Sequence, residues 1–158
     1  MVLLIIGILM GMAVLSIVPR SLDKEVREEL SQLKIRMDLA RHEAVIAAQE
    51  WGIRFAAAGY EFVQLDEEKQ WQPVVEAERM WQPYHLPEGW QAELQVEGMV
   101  WNRPFQPEDP PHVVLAADGS VTPFSWEVKV LASRAERVRY RLLAGLTGRV
   151  RIEPVTQP

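Results

Sequence analysis

The chain begins with an unbroken run of apolar residues, Met1 to Val18, that contains no charged side chain. As an α-helix this run would be about 27 Å long, which approaches the roughly 30 Å thickness of a bilayer's hydrocarbon core. Backbone groups find no water partners in lipid, so a helix is the conformation expected there. The pattern therefore predicts a transmembrane helix at residues 1–18.

Two other interpretations of this run are a cleaved secretory signal and a buried helix of a soluble fold. No basic residue precedes the run, and its exit at residues 16–20 lacks a small-x-small cleavage site. A buried helix would need a large apolar shell that the rest of the chain does not supply. Gly7 and Gly11, four residues apart, would allow close helix packing in the membrane, although glycine is also simply common in such helices.

After Pro19 the apolar positions recur with a mean spacing of about 3.7 residues, the period of one α-helical stripe. Ser21 is placed to cap a helix start, and Asp23 and Glu25 add favourable charge to the first turn. The stripe consists of Leu22, Val26, Leu30, Leu33, Met37, Ala40, Ala44, Ala48, Trp51 and Phe55. The pattern predicts an amphipathic helix over residues 19–57 that continues the membrane helix as a spine.

We expect the second half of this spine to be covered by a C-terminal domain and the first half to be left for other chains. Leucine and methionine dominate the stripe early, whereas alanine dominates from Ala40 to Ala48 and permits close packing against a sheet. The alternative is an ordinary amphipathic helix that packs on its own domain throughout.

Residues 58–158 show the period of two that is typical of half-buried strands. Trp90 to Glu97 alternates apolar and polar residues without error, and Asp66–Lys69 and Asp118-Gly119 are turn signals. Further strands are predicted at residues 60–65, 70–75, 112–115, 124–130, 137–142 and 149–152. The fold class is therefore α+β, with a long N-terminal helical spine packed on an antiparallel β-sandwich.

The 158 residues suffice for one domain and an accessory element, and their formal net charge is −5. An acidic total argues against general coating of nucleic acid but leaves a local basic site open. The absence of cysteine excludes disulfides, thiolate metal sites and thiol catalysis.

No catalytic or cofactor motif is present, so we expect a non-enzymatic protein without a cofactor. His42, His85 and His112 lack metal-ligand spacing. The acidic run at residues 66–68 could bind a cation, but a solvated hairpin tip explains it more simply. The tryptophans could form a stacking platform, although such residues more often fill a small β core.

Five arginines are the best site candidates: Arg137, Arg139, Arg141, Arg149 and Arg151. They alternate with apolar residues on two strands that could pair as a hairpin, which would place them on one face of a sheet. Such a strip could contact another subunit or bind an anionic partner. The alternative is a charged outer face, or an edge protected from aggregation.

The run VLLIIGILMGMAVLSI, followed by a charged amphipathic helix, resembles the start of type IV pilins and type II secretion pseudopilins. Further segments are similar to the H-type minor pseudopilins, the GspH family: EWGIRF, GYEFVQL with WQP, LPEG, AADGSVTPF and GRVRIEP. The resemblance covers nearly the whole chain, and the order of the segments supports it more than any single one does.

This resemblance implies a pilin-like fold, with the N-terminus in the cytoplasm and the globular domain in the periplasm. It implies a single-pass protein of the bacterial inner membrane, placed near the tip of a periplasmic pseudopilus that helps to export folded proteins. The implied partners are other major and minor pseudopilins, the inner-membrane secretion platform and membrane lipid, without nucleic acid.

The family also has a basic leader, a glycine before the cleavage point and a Phe-Thr-Leu-x-Glu segment, none of which precedes the apolar run here. We therefore expect the sequence to be N-terminally truncated. In-frame upstream codons for the missing segment would support this expectation, and a stop codon immediately upstream would contradict it.

The main alternative is a FimT/FimU-like type IV pilus minor pilin. Some of these take up DNA, and their GRxR-like ending resembles residues 148–151 here. Salt-sensitive DNA binding that is lost on replacing Arg149 and Arg151 would favour that alternative.

Overall fold

The computed structural model describes residues 21–74, 79–101, 106, 109–131 and 137–155, except for the side chains of residues 131 and 137. The predicted transmembrane helix at residues 1–18, with Gly7 and Gly11, lies outside this range. Among the described residues, no helix combines the length and hydrophobicity needed to cross a membrane.

Helix α1, Leu22–Ala47, begins after Ser21 and carries Asp23 and Glu25 in its first turn, as predicted, but the Ser21 side chain makes no capping hydrogen bond to this described helix. It ends at Ala48, which adopts a left-handed conformation with a φ of 49°. The prediction of a helix up to residue 57 is therefore wrong, because Trp51–Ala56 forms strand β1. Trp51, Ile53 and Phe55 are buried side chains of this strand. Trp51 and Phe55 are four residues apart, which places them on one face of a strand as well as on one face of a helix.

The inward face of α1 is buried along the described helix. Its buried residues are Val26, Leu30, Leu33, Met37, Ala40 and Ala44, all members of the predicted stripe. The domain thus covers α1 from its second turn to its last, so the expectation that the first half would be left for other chains is wrong, and this helix packs on its own domain throughout. The small Ala40 and Ala44 allow the helix to approach the sheets closely.

The strands form two antiparallel five-stranded sheets that pack as a sandwich. Sheet A contains β1, β2 (Gly59–Leu65), β3 (Trp71–Pro73), β4 (Tyr84–His85) and β7 (Val113–Leu115). Its order is β3-β2-β1-β7, with β4 paired to β2. Sheet B contains β5 (Trp90–Val96), β6 (Met99–Trp101), β8 (Phe124–Leu131), β9 (Arg137–Ala144) and β10 (Val150–Pro154). Its order is β10-β9-β8-β5-β6.

These sheets confirm the predicted antiparallel β-sandwich and its association with a long helix. The predicted hairpin around residues 66–69 joins β2 to β3, where Leu65 pairs with Trp71. At the predicted Asp118-Gly119 turn, the Ser120 N–H donates to Asp118 Oδ1 over 2.8 Å. A short 3₁₀ helix at Arg79–Trp81 follows β3 in the chain.

Aromatic rings join the two sheets in the core. Phe55 and Tyr60 of sheet A lie 5.2 Å and 5.8 Å from Trp126 of sheet B, measured between ring centroids. Trp51 and Trp81 form a second buried pair. These three tryptophans therefore pack in the core, whereas Trp101 on β6 is exposed.

The outer face of β1 is covered by the end of the proline-rich segment before β7. Arg54 is fully buried there and donates from Nε to the Asp109 carbonyl over 2.8 Å. A Cβ on Gly52 would lie only 2.5 Å from the ring of Pro111, so a larger residue would push this segment away. Arg54 also forms a 3.0 Å ion pair with Glu61 of β2.

Candidate subunit-contact surfaces

The arginine strip predicted from the sequence lies on paired strands. Strands β9 and β10 form an antiparallel hairpin in which Arg151 pairs with Leu143 and Glu153 with Arg141. Arg139, Arg141 and Arg151 therefore occupy the outer face of sheet B, opposite the core. Arg137 has the same strand parity, and Arg149 immediately precedes β10.

Glu127 of β8 binds two of the five arginines of this strip. Its Oε1 accepts from Arg139 Nε over 3.0 Å, and its Oε2 accepts from Arg141 Nη2 over 2.8 Å. Lys129 adds a longer contact of 3.7 Å to the same carboxylate. Arg139 and Arg141 thus act within the domain, as the interpretation of a charged outer face proposed.

The Glu127 carboxylate stays ionised because its partners outweigh its burial. Burial alone would raise the pKa of Glu127, but hydrogen bonds from Arg141 and Arg139 hold it below its ordinary value of 4.5. Since the folded-state pKa lies below the unfolded one, this stabilisation is complete above about pH 4.5. It is lost as the pH falls through the lowered pKa.

Replacement of Glu127 by glutamine should therefore lower the free energy of unfolding by about 1–2 kcal/mol at pH 7. The difference from the wild type should shrink as the pH falls below about 4. Urea unfolding at several pH values measures both effects. Glu93→Gln is the control, because Glu93 makes only a 3.4 Å surface contact to Lys129 and should have a small effect. A constant difference at all pH values would contradict the prediction.

Arg149 and Arg151 form the free half of the strip. Both are exposed, and neither side chain has a hydrogen bond or an ion pair with a described residue. These two guanidinium groups are thus available to a partner, whereas those of Arg139 and Arg141 are largely committed. The sequence could not show that Arg139 and Arg141 are bound while Arg149 and Arg151 are free. The reason is that Glu127, which binds the first two, lies on a different strand.

A second candidate surface is the outward face of α1, which the sequence analysis did not single out. Ile35 and Ile46 are exposed by 57% and 67%, whereas Leu39, which lies between them in the sequence, is partly buried and packs against the core. Ile35 and Ile46 are about three helical turns apart, which places them on one side of the helix, opposite the buried stripe. The earlier part of this side is polar, with Lys24 and Glu28 in an ion pair.

Tyrosine hydroxyls hold α1 against both sheets. Arg36 donates to Tyr60 on sheet A over 3.2 Å, and Tyr140 on sheet B donates to Asp23 over 2.7 Å. Burial raises the pKa of Tyr60 to about 12 despite the opposing Arg36, so its hydroxyl stays protonated. The rigid attachment of α1 fixes which helix face remains available to other chains.

The histidines and the acidic hairpin do not form a chemical site within the described residues. His42 lies on the helix and His85 on β4, while His112 accepts a 3.0 Å hydrogen bond at Nδ1 from the Phe55 N–H. Asp66 accepts from the Gln70 N–H and so stabilises its own hairpin. In the described part of the chain, no three histidine, aspartate or glutamate side chains converge as a metal site.

The chain is similar to a curated secretion protein. It is 26% identical over 132 residues to the type II secretion system protein H of Pseudomonas aeruginosa. The match covers 78% of this chain and 74% of that protein. No family model matches the chain.

Solved structures of minor pseudopilins share the fold. The crystal structure of EpsH from the type II secretion system of Vibrio cholerae has a TM-score of 0.68 at 24% identity. The match covers 87% of this chain and 100% of that one. The solution structure of Escherichia coli GspH has a TM-score of 0.65 at 22% identity, with 88% and 94% coverage.

The sequence match and these structures together confirm the predicted resemblance to GspH-type minor pseudopilins. They give the FimT/FimU-like alternative no support over it.

Proposed function

We propose that this chain works as an H-type minor pseudopilin, a non-enzymatic subunit of the periplasmic pseudopilus of a type II secretion system. The observation that carries the proposal is the two-sided character of α1. Its inner face is buried in its own sandwich, while its outer face presents Ile35 and Ile46. Exposed apolar side chains on a helix whose inner face is already buried are suited to pack against a second helix.

The N-terminal run supplies the membrane attachment in this proposal. Residues 1–18 would span the inner membrane, leaving the sandwich in the periplasm beside its partner pseudopilins and the secretion platform. Packing against neighbouring apolar helices would replace lipid contacts when the subunit leaves the bilayer. A reporter enzyme that is active only in the periplasm, fused after residue 155, should be active if this orientation is correct, and an inactive fusion would contradict it.

Replacing Ile35 with glutamate should lower secretion of the system's exoproteins about tenfold, because burying an unpaired carboxylate in a helix contact is costly. The assay is secreted exoprotein in a strain that lacks the chain and is complemented by the variant. The domain itself should remain folded, because Ile35 is exposed.

Gln91→Glu is the matched control, since Gln91 is an exposed residue on β5, in sheet B and not on α1. It should secrete like the wild type. Undiminished secretion in the strain without the chain would reject the proposed function. Normal secretion with Ile35→Glu alone would instead reject the role of this helix face.

A further inference from the structure

We propose that strand β6, at the free edge of sheet B, pairs with an extended apolar segment of a neighbouring subunit. The site is the outer edge of Met99–Trp101 together with Glu97 in the adjoining turn. This inference rests on the proposed function and adds to it the place and the geometry of one subunit contact, in which a partner's strand extends the sheet.

The backbone of Val100 faces outward at this edge. Glu97 and Gly98 form the two-residue turn between β5 and β6, with φ values of 50° and 82°, both positive as in a type I′ turn. The pair that flanks such a turn is hydrogen-bonded, so the next pair, Gln95 and Val100, does not bond across the hairpin. The Glu97 N–H donates to the Pro123 carbonyl over 3.3 Å, which agrees with Gln95 facing β8 rather than β6. The N–H and C=O of Val100 therefore point away from β5.

Among the described residues, nothing pairs with the outward side of β6. Sheet B ends at this strand, and no hydrogen bond to the Val100 backbone comes from another described segment. The opposite edge of the sheet, β10, carries Arg151 and Pro154, which discourage pairing with a further strand. Strand β6 contains neither a charged residue nor a proline. Its edge is therefore open to a strand from another chain.

The side chains of β6 indicate which residues the added strand should carry. Met99 and Trp101 pair with Val96 and Leu94, so they lie on the core face of sheet B. Val96 and Leu94 are buried, whereas Met99 and Trp101 are 61% and 41% exposed. The apolar face of the sheet thus continues one strand beyond the part that the domain itself covers. A strand with apolar residues at alternate positions would cover it.

Glu97 places a negative charge beside this edge. Its side chain is exposed and has no hydrogen bond or ion pair with a described residue. A segment with a lysine or arginine at the end that reaches the turn would be attracted, and an acidic one would be repelled. A helix does not fit, because its own backbone groups are already paired and cannot bond to Val100. The occupant is therefore an extended segment with alternating apolar residues and a basic residue at one end.

Site-specific photo-crosslinking in the native secretion system tests the inference. Benzoylphenylalanine is placed at Met99 of the full-length chain and, in a parallel strain, at Ile35. Met99 should crosslink to another pseudopilin, and mass spectrometry should locate the crosslink in a segment with the alternating apolar pattern. Val100→Pro in that chain should lower the crosslink yield about fivefold or more, because proline has no N–H to donate. Val100→Thr keeps the N–H and should retain most of the yield.

Val100→Pro should leave the domain folded, since an edge strand tolerates proline where the replaced N–H faces outward. A urea unfolding midpoint close to that of the wild type checks this. If the variant unfolds, Glu97→Lys decides by charge and should lower the yield about threefold. Glu88→Lys is its matched control, because Glu88 is an exposed glutamate before β5, at the other end of that strand.

The outcomes separate the two proposals. Crosslinks from Ile35 without any from Met99 would overturn the added strand and leave the proposed function intact, whereas none from either position would count against both. A crosslink from Met99 to a helical segment, to lipid or only to a second copy of this chain would also overturn the inference. So would a yield that neither Val100→Pro nor Glu97→Lys changes.

Discussion

Replacing Trp126 with alanine is expected to lower the free energy of unfolding by about 3–5 kcal/mol, the usual cost of removing a large buried aromatic side chain. Trp126 is only 2% exposed and contacts Phe55 and Tyr60 of the opposite sheet. Its Nε1 has no hydrogen-bond partner among the described residues, so its removal relieves one buried unpaired donor. The lost ring contacts and the cavity between the sheets outweigh this gain. Urea unfolding followed by circular dichroism gives the difference.

Trp101→Ala is the matched control for this prediction. The chemical change is the same, but Trp101 is 41% exposed at the edge of sheet B, so the expected loss is about 1 kcal/mol or less. Similar losses for the two variants would show that Trp126 does not join the sheets as the structure describes.

Replacing Glu61 with alanine should also cost about 3–5 kcal/mol, because it would leave the buried Arg54 without its counter-charge. The Glu61 Oε1 lies 3.0 Å from Arg54 Nη1, and the Arg54 side chain is fully buried. Arg54 Nη2 has no hydrogen-bond partner in the described part of the chain, so little there compensates for the lost carboxylate. The same urea titration measures the effect.

The double variant Arg54→Met/Glu61→Leu distinguishes the ion pair from the packing around it. Replacement of both charges by apolar residues of similar size removes the unpaired cation, so the double variant should be more stable than Glu61→Ala alone. A double variant that is less stable would indicate that the contact between Arg54 and the Asp109 carbonyl matters more than the charge pair.

The hydrophobic pattern predicted which helices and strands form better than it predicted the residues where they begin and end. Strands β5 and β8 agree with the alternation of their residues, since a period of two is a property of the strand itself. The helix was predicted to extend too far because the spacing of Trp51 and Phe55 is compatible with both periods. Residues 51–56 form a strand rather than a helix because β1 pairs with β2 and β7 and so completes the backbone hydrogen bonds of sheet A.

The arginine strip, too, was predicted only in part from the sequence. Alternation along β9 and β10 indicated that Arg139, Arg141 and Arg151 share a face, and the hairpin confirms it. The sequence did not indicate that Glu127 would bind two of these arginines, because that depends on the pairing of β8 with β9.

The sequence by itself determined the helix that begins after Ser21, the sandwich and the family resemblance, because helical and strand periods and turn signals act over a few neighbouring residues. Only the tertiary structure decided where the helix gives way to β1, which arginines remain free and which apolar side chains remain exposed. These depend on segments far apart in the chain: Arg41 meets Thr147 across 106 positions. No local pattern encodes such a meeting, since it follows from how the helix and both sheets close around one core.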